Sequence, residues 1–415
     1  MTSKKENILN TCSLLVFAVV IFLRAPILLI APRFYDEEGL SYFKYAYENP
    51  FFKSLFVVQP DRGYFEIFTN TAMAFASIAP LRYAPTVCAL MAFLAQLIPF
   101  AIVLWGRSFF FDTYLKKIVV ALIIIFVQST GQIWITARHT QFFLLLTTFL
   151  ILIADVQGEA KFRVWAYRLL LLIGGFAGLT SCYLTPVYIL RALQKKSREF
   201  TIHAAILVFS SLCQIAIVAH SYYTIGLPQR FNNSNFISIF LLYLTENYLI
   251  PIFGYTFTQI MLSNLIFLIF VVPVAIYLIW VMYKSILDIN RQVLALGIIF
   301  CSITLILTSL DMTGAARYTY APGVMLMVLI LSYVKFDKNS FLKISSLAAF
   351  VLTLIALTTS MMEYRARMKV YANTSWPDWK AEISIWEKDP NYPIRIWPQF
   401  DDYKPVLKLS QSKDK

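Results

Sequence analysis

RFYDEEGLSYFKYAYENPFFKSLFVVQPDRGYFE, residues 33–66, decides how this chain is read. It follows the first long apolar run and is the longest polar interruption before the tail. Asp36, Glu37 and Glu38 stand in a row, followed by Gly39 and then by aromatic, weakly amphipathic sequence: Tyr42, Phe43, Tyr45, Tyr47, Phe51 and Phe52. Carboxylates at the end of an apolar run need water, a cation or a chemical role. The stretch therefore reads as a loop at a membrane surface, and the rest of the chain as the scaffold that holds it there.

Composition supports that reading. The chain is 59% hydrophobic and only 14% charged, with a mean hydropathy of +0.66, far too apolar for a soluble domain. Its net charge of +13 suggests nucleic acid at first sight. The basic residues, however, fall in short loops between apolar runs, where anionic headgroups and membrane topology account for them and no nucleic-acid partner is implied. Cys12, Cys88, Cys213 and Cys301 lie inside apolar runs and Cys182 at the end of one. None has metal-ligand spacing, so they read as buried small hydrophobes. The chain has no Walker loop, no GxGxxG after a strand and no HExxH, and its polar segments are too short for a nucleotide-binding domain. That excludes an ATP-driven pump and a cytosolic nucleotide-sugar enzyme.

Working outward, an apolar run from Ile8 to Ala31, interrupted by Arg24, precedes the acidic loop. It follows Lys4 and Lys5 but is longer than a signal-peptide core, so it reads as an anchor. Ile67 to Pro80 is too short for a crossing and is expected on the outer surface or half-inserted. Further crossings are expected over Pro85–Trp105, Ile118–Ile135, Phe142–Ala154, Leu169–Ser181, a short return Tyr183–Leu193, Ile202–Tyr222, Ile260–Tyr283, Val293–Leu310, Ala321–Val334 and Leu342–Ser360. The fold class is thus an all-α polytopic membrane protein with about eleven transmembrane helices. The membrane domain covers 1–360, with an outer acidic loop at 32–84 and an outer loop at 224–259. The latter carries an apolar segment, FISIFLLYLTENYLIPIF, that reads as interfacial because Glu246, Asn247 and Pro251 break it. The polar tail, 361–415, has a helix pattern over Trp376–Lys388 and a strand pattern over YPIRIW, Tyr392–Trp397. It is too small for a core of its own, so it is expected to pack on the other outer loops. Asn232 and Asn373 begin glycosylation sequons, a pattern frequent by chance.

Three groups of residues stand out as candidates for chemistry. Asp36, Glu37 and Glu38 complement a helix dipole in the bland reading. In the functional one, a carboxylate accepts a proton from a hydroxyl or holds a divalent ion. Arg138 and His139 follow GQIWITA and are expected at the outer rim, where the arginine either snorkels to headgroups or binds phosphate. Arg317 and Tyr318 lie in DMTGAARYTYAPG, where Arg317 either pairs with Asp311 or holds a phosphate. Arg24 is an intramembrane cation, which is a functional candidate by default or a snorkelling side chain.

The order of amino-terminal span, acidic outer loop with amphipathic helices, many spans and outer tail resembles the GT-C superfamily of integral membrane glycosyltransferases. FYDEEGLSYFKYAYENP followed by GYFEIF also resembles a group of bacterial membrane proteins in which an aromatic-aromatic-x-Glu-Asp-Gly motif precedes a Gly-Tyr helix. Here Glu38 stands where that motif has Asp. RYTYAPG from Arg317 and YPIRIWPQF in the tail resemble their later motifs. The resemblance implies a bacterial inner-membrane enzyme. It would move a sugar from a polyprenyl-phosphate-linked donor to an outer-face glycan or lipid acceptor, with inversion and no obligatory cofactor. Glu37 or Glu38 would be the base, Asp36 a further candidate. Arg317, Arg138, His139, Tyr318, Tyr64 and Arg24 would line the substrate. A polysaccharide polymerase and a lipid or polysaccharide flippase are the rival readings. The flippase predicts polar side chains at mid-membrane depth on several helices, whereas the sequence offers Arg24 and little else.

Charge sets the orientation. With the amino terminus in the cytoplasm, the cytoplasmic segments hold Lys4, Lys5, Arg107, Lys116, Lys117, Lys161, Arg163, Arg168, Lys195, Lys196, Arg198, Lys284, Arg291, Lys335, Lys338 and Lys343. The short outer loops after the acidic one hold only Arg138, Arg230 and Arg317. In a cysteine-free background, an impermeant thiol reagent on intact cells is expected to label Ser412→Cys and not Ser197→Cys. The opposite pattern would invert the topology.

Overall fold

The computed structural model describes residues 3–59, 63–127, 133–226, 241, 243–263, 268–308, 315–335, 343–364 and 376–410. The chain is overwhelmingly helical, as its apolar runs require. The only regular sheet among the described residues is an antiparallel pair, Ile394–Arg395 against Val406–Leu407. Five helices among the described residues are long and apolar enough to cross a membrane: Lys4–Arg24, Leu81–Trp105, Arg198–Thr224, Ile269–Leu287 and Ile344–Met362. Large apolar side chains such as Leu15, Val16, Leu212, Ile269 and Ile276 stand exposed on them, as lipid-facing surfaces do.

At the centre lie two shorter helices, Thr140–Ile153 and Tyr320–Leu331, in which every residue is buried. Neither carries a charge, and a helix apolar all round belongs inside a bundle. A 14-residue helix rises about 21 Å, so the first is shorter than the hydrocarbon core and depends on its neighbours. The Lys161–Gly175 helix packs closely on it: a Cβ added at Gly174 would lie 2.7 Å from the Thr148 hydroxyl.

Beyond the five long helices, the other runs expected to cross are shorter or interrupted helices among the described residues. Of the run expected over Ile118–Ile135, Tyr114–Phe126 belongs to a helix, Ile133–His139 is irregular backbone, and 128–132 lie outside the described residues. The run over Ile260–Tyr283 divides into Tyr255–Ser263 and Leu268–Leu287, with 264–267 outside the described residues. The crossing expected from Leu169 belongs to a helix that starts at Lys161. Arg168 on it makes a two-pronged ion pair with Glu199 on the neighbouring helix. Within the described part of the segment expected to be interfacial in 224–259, Tyr243 and Ile250–Phe253 are buried, and Ile250–Phe253 packs on the Ile344–Met362 and Tyr320–Leu331 helices. A π-helical turn, Thr245–Leu249, carries Glu246 and Asn247 into the interior, so the polar residues that looked like a surface break sit inside. Residues 227–240, both sequons, Arg230 and Asp311 lie outside the described residues. Of the cysteines, Cys88 and Cys301 are buried as expected, Cys182 and Cys213 are half-buried, and Cys12 is exposed on the lipid-facing side of the first helix.

Ile67–Ile78 is a 12-residue helix, too short to cross. It packs on the start of the Ala84–Trp105 helix and on the short helices of the acidic loop. The tail docks onto that same loop, as expected. Its helix Trp379–Trp386 sets Trp379 edge-on to Phe34, with ring centroids 5.1 Å apart. Its strand runs parallel to the acidic loop through a Tyr35–Trp397 bridge, with the Asp36 N–H donating to the Trp397 carbonyl at 2.5 Å. Gly39 makes this approach feasible, because a Cβ there would lie 2.9 Å from Ile396 Cδ1 and 3.2 Å from Phe34 Cβ. Gly39→Val is therefore expected to cost about 1–3 kcal/mol by overpacking and to speed proteolytic removal of the tail. Adding Ile396→Ala should restore most of the protection. A double variant as labile as the single one would mean that this contact does not seat the tail.

Candidate functional site

The acidic row does not face one way. Asp36 adopts a left-handed backbone, φ 48°, and its carboxylate accepts the Tyr403 hydroxyl of the tail at 2.5 Å. Glu37 pairs with the Arg138 guanidinium. Glu38 turns inward and is 5% exposed. One carboxylate oxygen of Glu38 accepts the Tyr35 N–H at 3.3 Å, and the other accepts the Arg138 N–H at 3.1 Å. Three adjacent acids thus take three roles. One ties the tail, one neutralises a cation and one is buried at the head of the bundle.

The segment that supplies Arg138 is held in place from below. Gln96, fully buried in the Ala84–Trp105 helix, donates to the Ile133 carbonyl at 3.0 Å and accepts the Ile135 N–H at 3.2 Å. Ile135 has φ 55°, a genuine outlier for a β-branched residue. Such strain persists only where surrounding structure enforces it, and it clusters at ligand and switch sites. Two left-handed non-glycine residues, Asp36 and Ile135, flank Glu38 from its two sides.

Glu38 lines a small cavity of about 10 Å³ with Arg33, Tyr35, Cys88, Ile135, Thr136 and Trp397 among its neighbours. That is room for about one water. Arg33 stacks its guanidinium on the Trp397 ring at 3.6 Å and donates through Nε to the Ala31 carbonyl at 2.8 Å. Partial burial pulls Arg33 down to about 10, opposed by Asp378, so it stays cationic at neutral pH. Burial pushes the Glu38 carboxyl up from 4.5 to about 7. Backbone hydrogen bonds at Tyr35 and Ala137 pull against that rise and the Asp36 charge adds to it. A buried carboxyl that titrates near neutrality is the electrostatic pattern of an acid–base group.

The other sequence candidates are placed as follows. Arg138 is engaged by Glu37, although its Nε is buried without a hydrogen-bond partner. His139 is buried, shares a hydrogen bond with Thr136 Oγ1 at 3.1 Å and stacks on Phe142. Tyr318 also meets Phe142, edge-on at 5.3 Å. Arg317 lies over the ring of its own neighbour Tyr318, 5.1 Å away, and therefore stands beside this aromatic group and not in the Glu38 cavity. Tyr64 packs near Gly178, again apart from the cavity. Arg24 does not snorkel. It is 2% exposed, donates to the Ile125 carbonyl at 2.5 Å and sits against the Trp134 and Tyr364 rings at 4.4 and 5.1 Å. Sequence reasoning passed over Arg33 and Trp397, which do share the cavity. The available signal was that Arg33 opens the acidic stretch and that YPIRIW was expected to dock on it. No group of three or more His, Cys, Asp or Glu side chains suited to a metal ion occurs among the described residues.

No family model, curated protein or solved structure matches this chain.

The raised Glu38 carboxyl has a consequence for stability. Below pH 4.5 the group is protonated in both folded and unfolded chains. Between 4.5 and about 7 the folded chain keeps a proton that the unfolded chain has released, so stability falls as pH rises. Above 7 the penalty is constant, on the order of 3 kcal/mol. Glu38→Gln has no proton to lose. Its apparent melting temperature in detergent is expected to vary less across that window than that of the parent. An unchanged slope in the variant would assign the pH dependence to other groups.

Proposed function

We propose that this is a membrane glycosyltransferase of GT-C type, with the acidic loop and tail on the outer face and Glu38 as the general base. The observation that carries the reading is a buried carboxyl titrating near 7 at the head of an apolar bundle, in one cavity with Arg33. The donor would be a polyprenyl-phosphate-linked sugar and the acceptor a hydroxyl of an outer-face glycan or lipid. Glu38 would take the acceptor proton as the acceptor oxygen attacks the anomeric carbon. The bond from that carbon to the phosphate oxygen would break on the opposite face, with inversion. The departing polyprenyl phosphate needs a cation more than an acid, and Arg33, which lines the same cavity, is the source of charge there. Glu37, neutralised by Arg138, is the poorer base, because an adjacent cation favours its ionised form.

The cavity is closed. Small-molecule sites usually enclose about 300–1,000 Å³, so a sugar requires the tail wall at Trp397 to move. The closed cavity favours a second reading, in which Glu38 is a structural bolt between the acidic loop and residues 136–138.

Activity distinguishes the two. With purified protein in proteoliposomes and a panel of radiolabelled polyprenyl-phosphate hexoses and pentoses, Glu38→Gln is expected to lower turnover about 100-fold or more. Parent turnover should rise with pH through about 7 and then level. Glu37→Gln should cost less. Near-normal transfer by both variants would leave the acids structural and remove the main support for an enzyme.

A further inference from the structure

A roomier cavity than the one at Glu38 lies at the other end of the bundle. The Ala84–Trp105 helix touches the Glu38 cavity through Pro85, Cys88 and Ala89, and Gly106, just past its far end, lines a second cavity of about 640 Å³. Twenty-two helical residues rise about 33 Å, so the two cavities are separate sites. The second is walled by residues 106–112, by Asp155 and Gln157, and by the end of the Thr185–Lys195 helix. On the proposed topology it opens to the cytoplasm.

Its distinguishing group is Arg191. The side chain is 7% exposed, and both Nε and Nη1 are buried without a hydrogen-bond partner. The guanidinium lies 5.4 Å from the Phe200 ring, which offers a cation a face but accepts no conventional hydrogen bond. Arg107, Lys117 and Lys195 bring three more cations to the same lining. Lys117 spends one donor on the Leu104 carbonyl at 2.8 Å and keeps two. Three acids share the lining. Asp112 is already paired with Lys116 at 2.9 Å, Asp155 acts electrostatically on Arg191 and Glu6 on Lys117, so Arg107 and Lys195 are the surplus cations. A buried arginine with open donors, a surplus of cations and room for many heavy atoms describes a site for a multiply charged anion with several acceptor oxygens. A lone carboxylate would leave most of these donors unmet.

We propose that this cavity binds a phosphate-bearing ligand, with Arg191 as the buried anchor and Arg107 and Lys195 as mouth cations. The same chemistry is offered by a phospholipid headgroup and by a soluble phosphate compound. The proposal does not rest on the glycosyltransferase reading.

The test is thermal stability of the purified full-length protein. Inorganic phosphate and inorganic pyrophosphate are titrated in detergent at constant ionic strength, with chloride as reference. In parallel, nanodiscs of phosphatidylcholine are compared with nanodiscs containing phosphatidic acid. A saturable rise in melting temperature with the soluble anions identifies a soluble ligand. A rise confined to phosphatidic acid identifies a headgroup. Either is expected to vanish in Arg191→Gln. Lys195→Gln and Arg107→Gln, at exposed positions that leave folding intact, are expected to raise the half-saturating concentration, or the phosphatidic acid fraction required, about 3–10-fold each. The idea is overturned if neither source stabilises the parent beyond chloride or phosphatidylcholine. It is also overturned if the rise persists undiminished in the mouth variants, or in a folded Arg191→Gln.

Discussion

A single carboxylate joins two stretches of irregular backbone that no helix or sheet satisfies. Glu38 accepts one N–H from its own loop and one from Arg138, a hundred residues further on. A buried acceptor with both oxygens bonded costs far less than a bare one, but desolvation still dominates, and the carboxyl is held near neutrality. The rest of the head region follows from that compromise. Arg138 is drawn close, which gives Glu37 its partner. Asp36 is forced into a left-handed turn, which aims its carboxylate at Tyr403 and fixes where the tail lies.

The same constraint recurs deeper in the bundle. Apolar surroundings offer no water to unpaired backbone groups, so non-helical segments at membrane depth survive only where side chains serve them. Gln96 serves Ile133 and Ile135. Gln214, fully buried in the Arg198–Ile225 helix, both donates to and accepts from Phe65, and so ties residues 65–66 to the turn around Gly178. The interior is therefore more polar than the sequence suggested. Gln96 and Gln214, with Thr147, Thr148, His203 and Ser210, are among the buried polar residues of the kind a flippase would also display. Here the two glutamines are occupied by backbone, so their presence argues for broken helices and not for a polar path.

What was legible in the sequence was legible for local reasons. Uninterrupted apolar runs gave the helices, and the polar, tryptophan-rich tail could find a core only by packing on another outer segment. The acidic row announced itself because charge beside an apolar run is costly. What could not be read was three-dimensional partnership. Arg317 reads as an Asp311 partner or a phosphate ligand, and Arg138 as a snorkelling or phosphate-binding side chain, because sequence shows only neighbours along the chain. Folding hands Arg138 to Glu37, lays Arg317 on Tyr318 and brings Arg33 to the cavity. The irregular backbone at Ile133–Ile135 was hidden for a similar reason. These residues are apolar, but the polar residues 128–132 separate them from the helix that ends at Phe126, and the distant Gln96 serves their backbone.

Arg33 and Trp397 also bear on how a closed cavity opens. The tail strand is held to the acidic loop by a few backbone hydrogen bonds and by the stacking of Arg33 on Trp397. A cation on an indole face is worth about 0.5–2 kcal/mol, depending on desolvation. A charge-assisted bond from the same guanidinium to a phosphate is comparable or stronger. On the glycosyltransferase reading, a donor phosphate reaching this loop would compete with Trp397 for Arg33. The group that binds the leaving phosphate is then also a latch on the wall that keeps water from Glu38. Opening would be driven by the charge of the donor, and an acceptor alone would leave the base shielded. That order suits a base whose near-neutral carboxyl depends on staying dry.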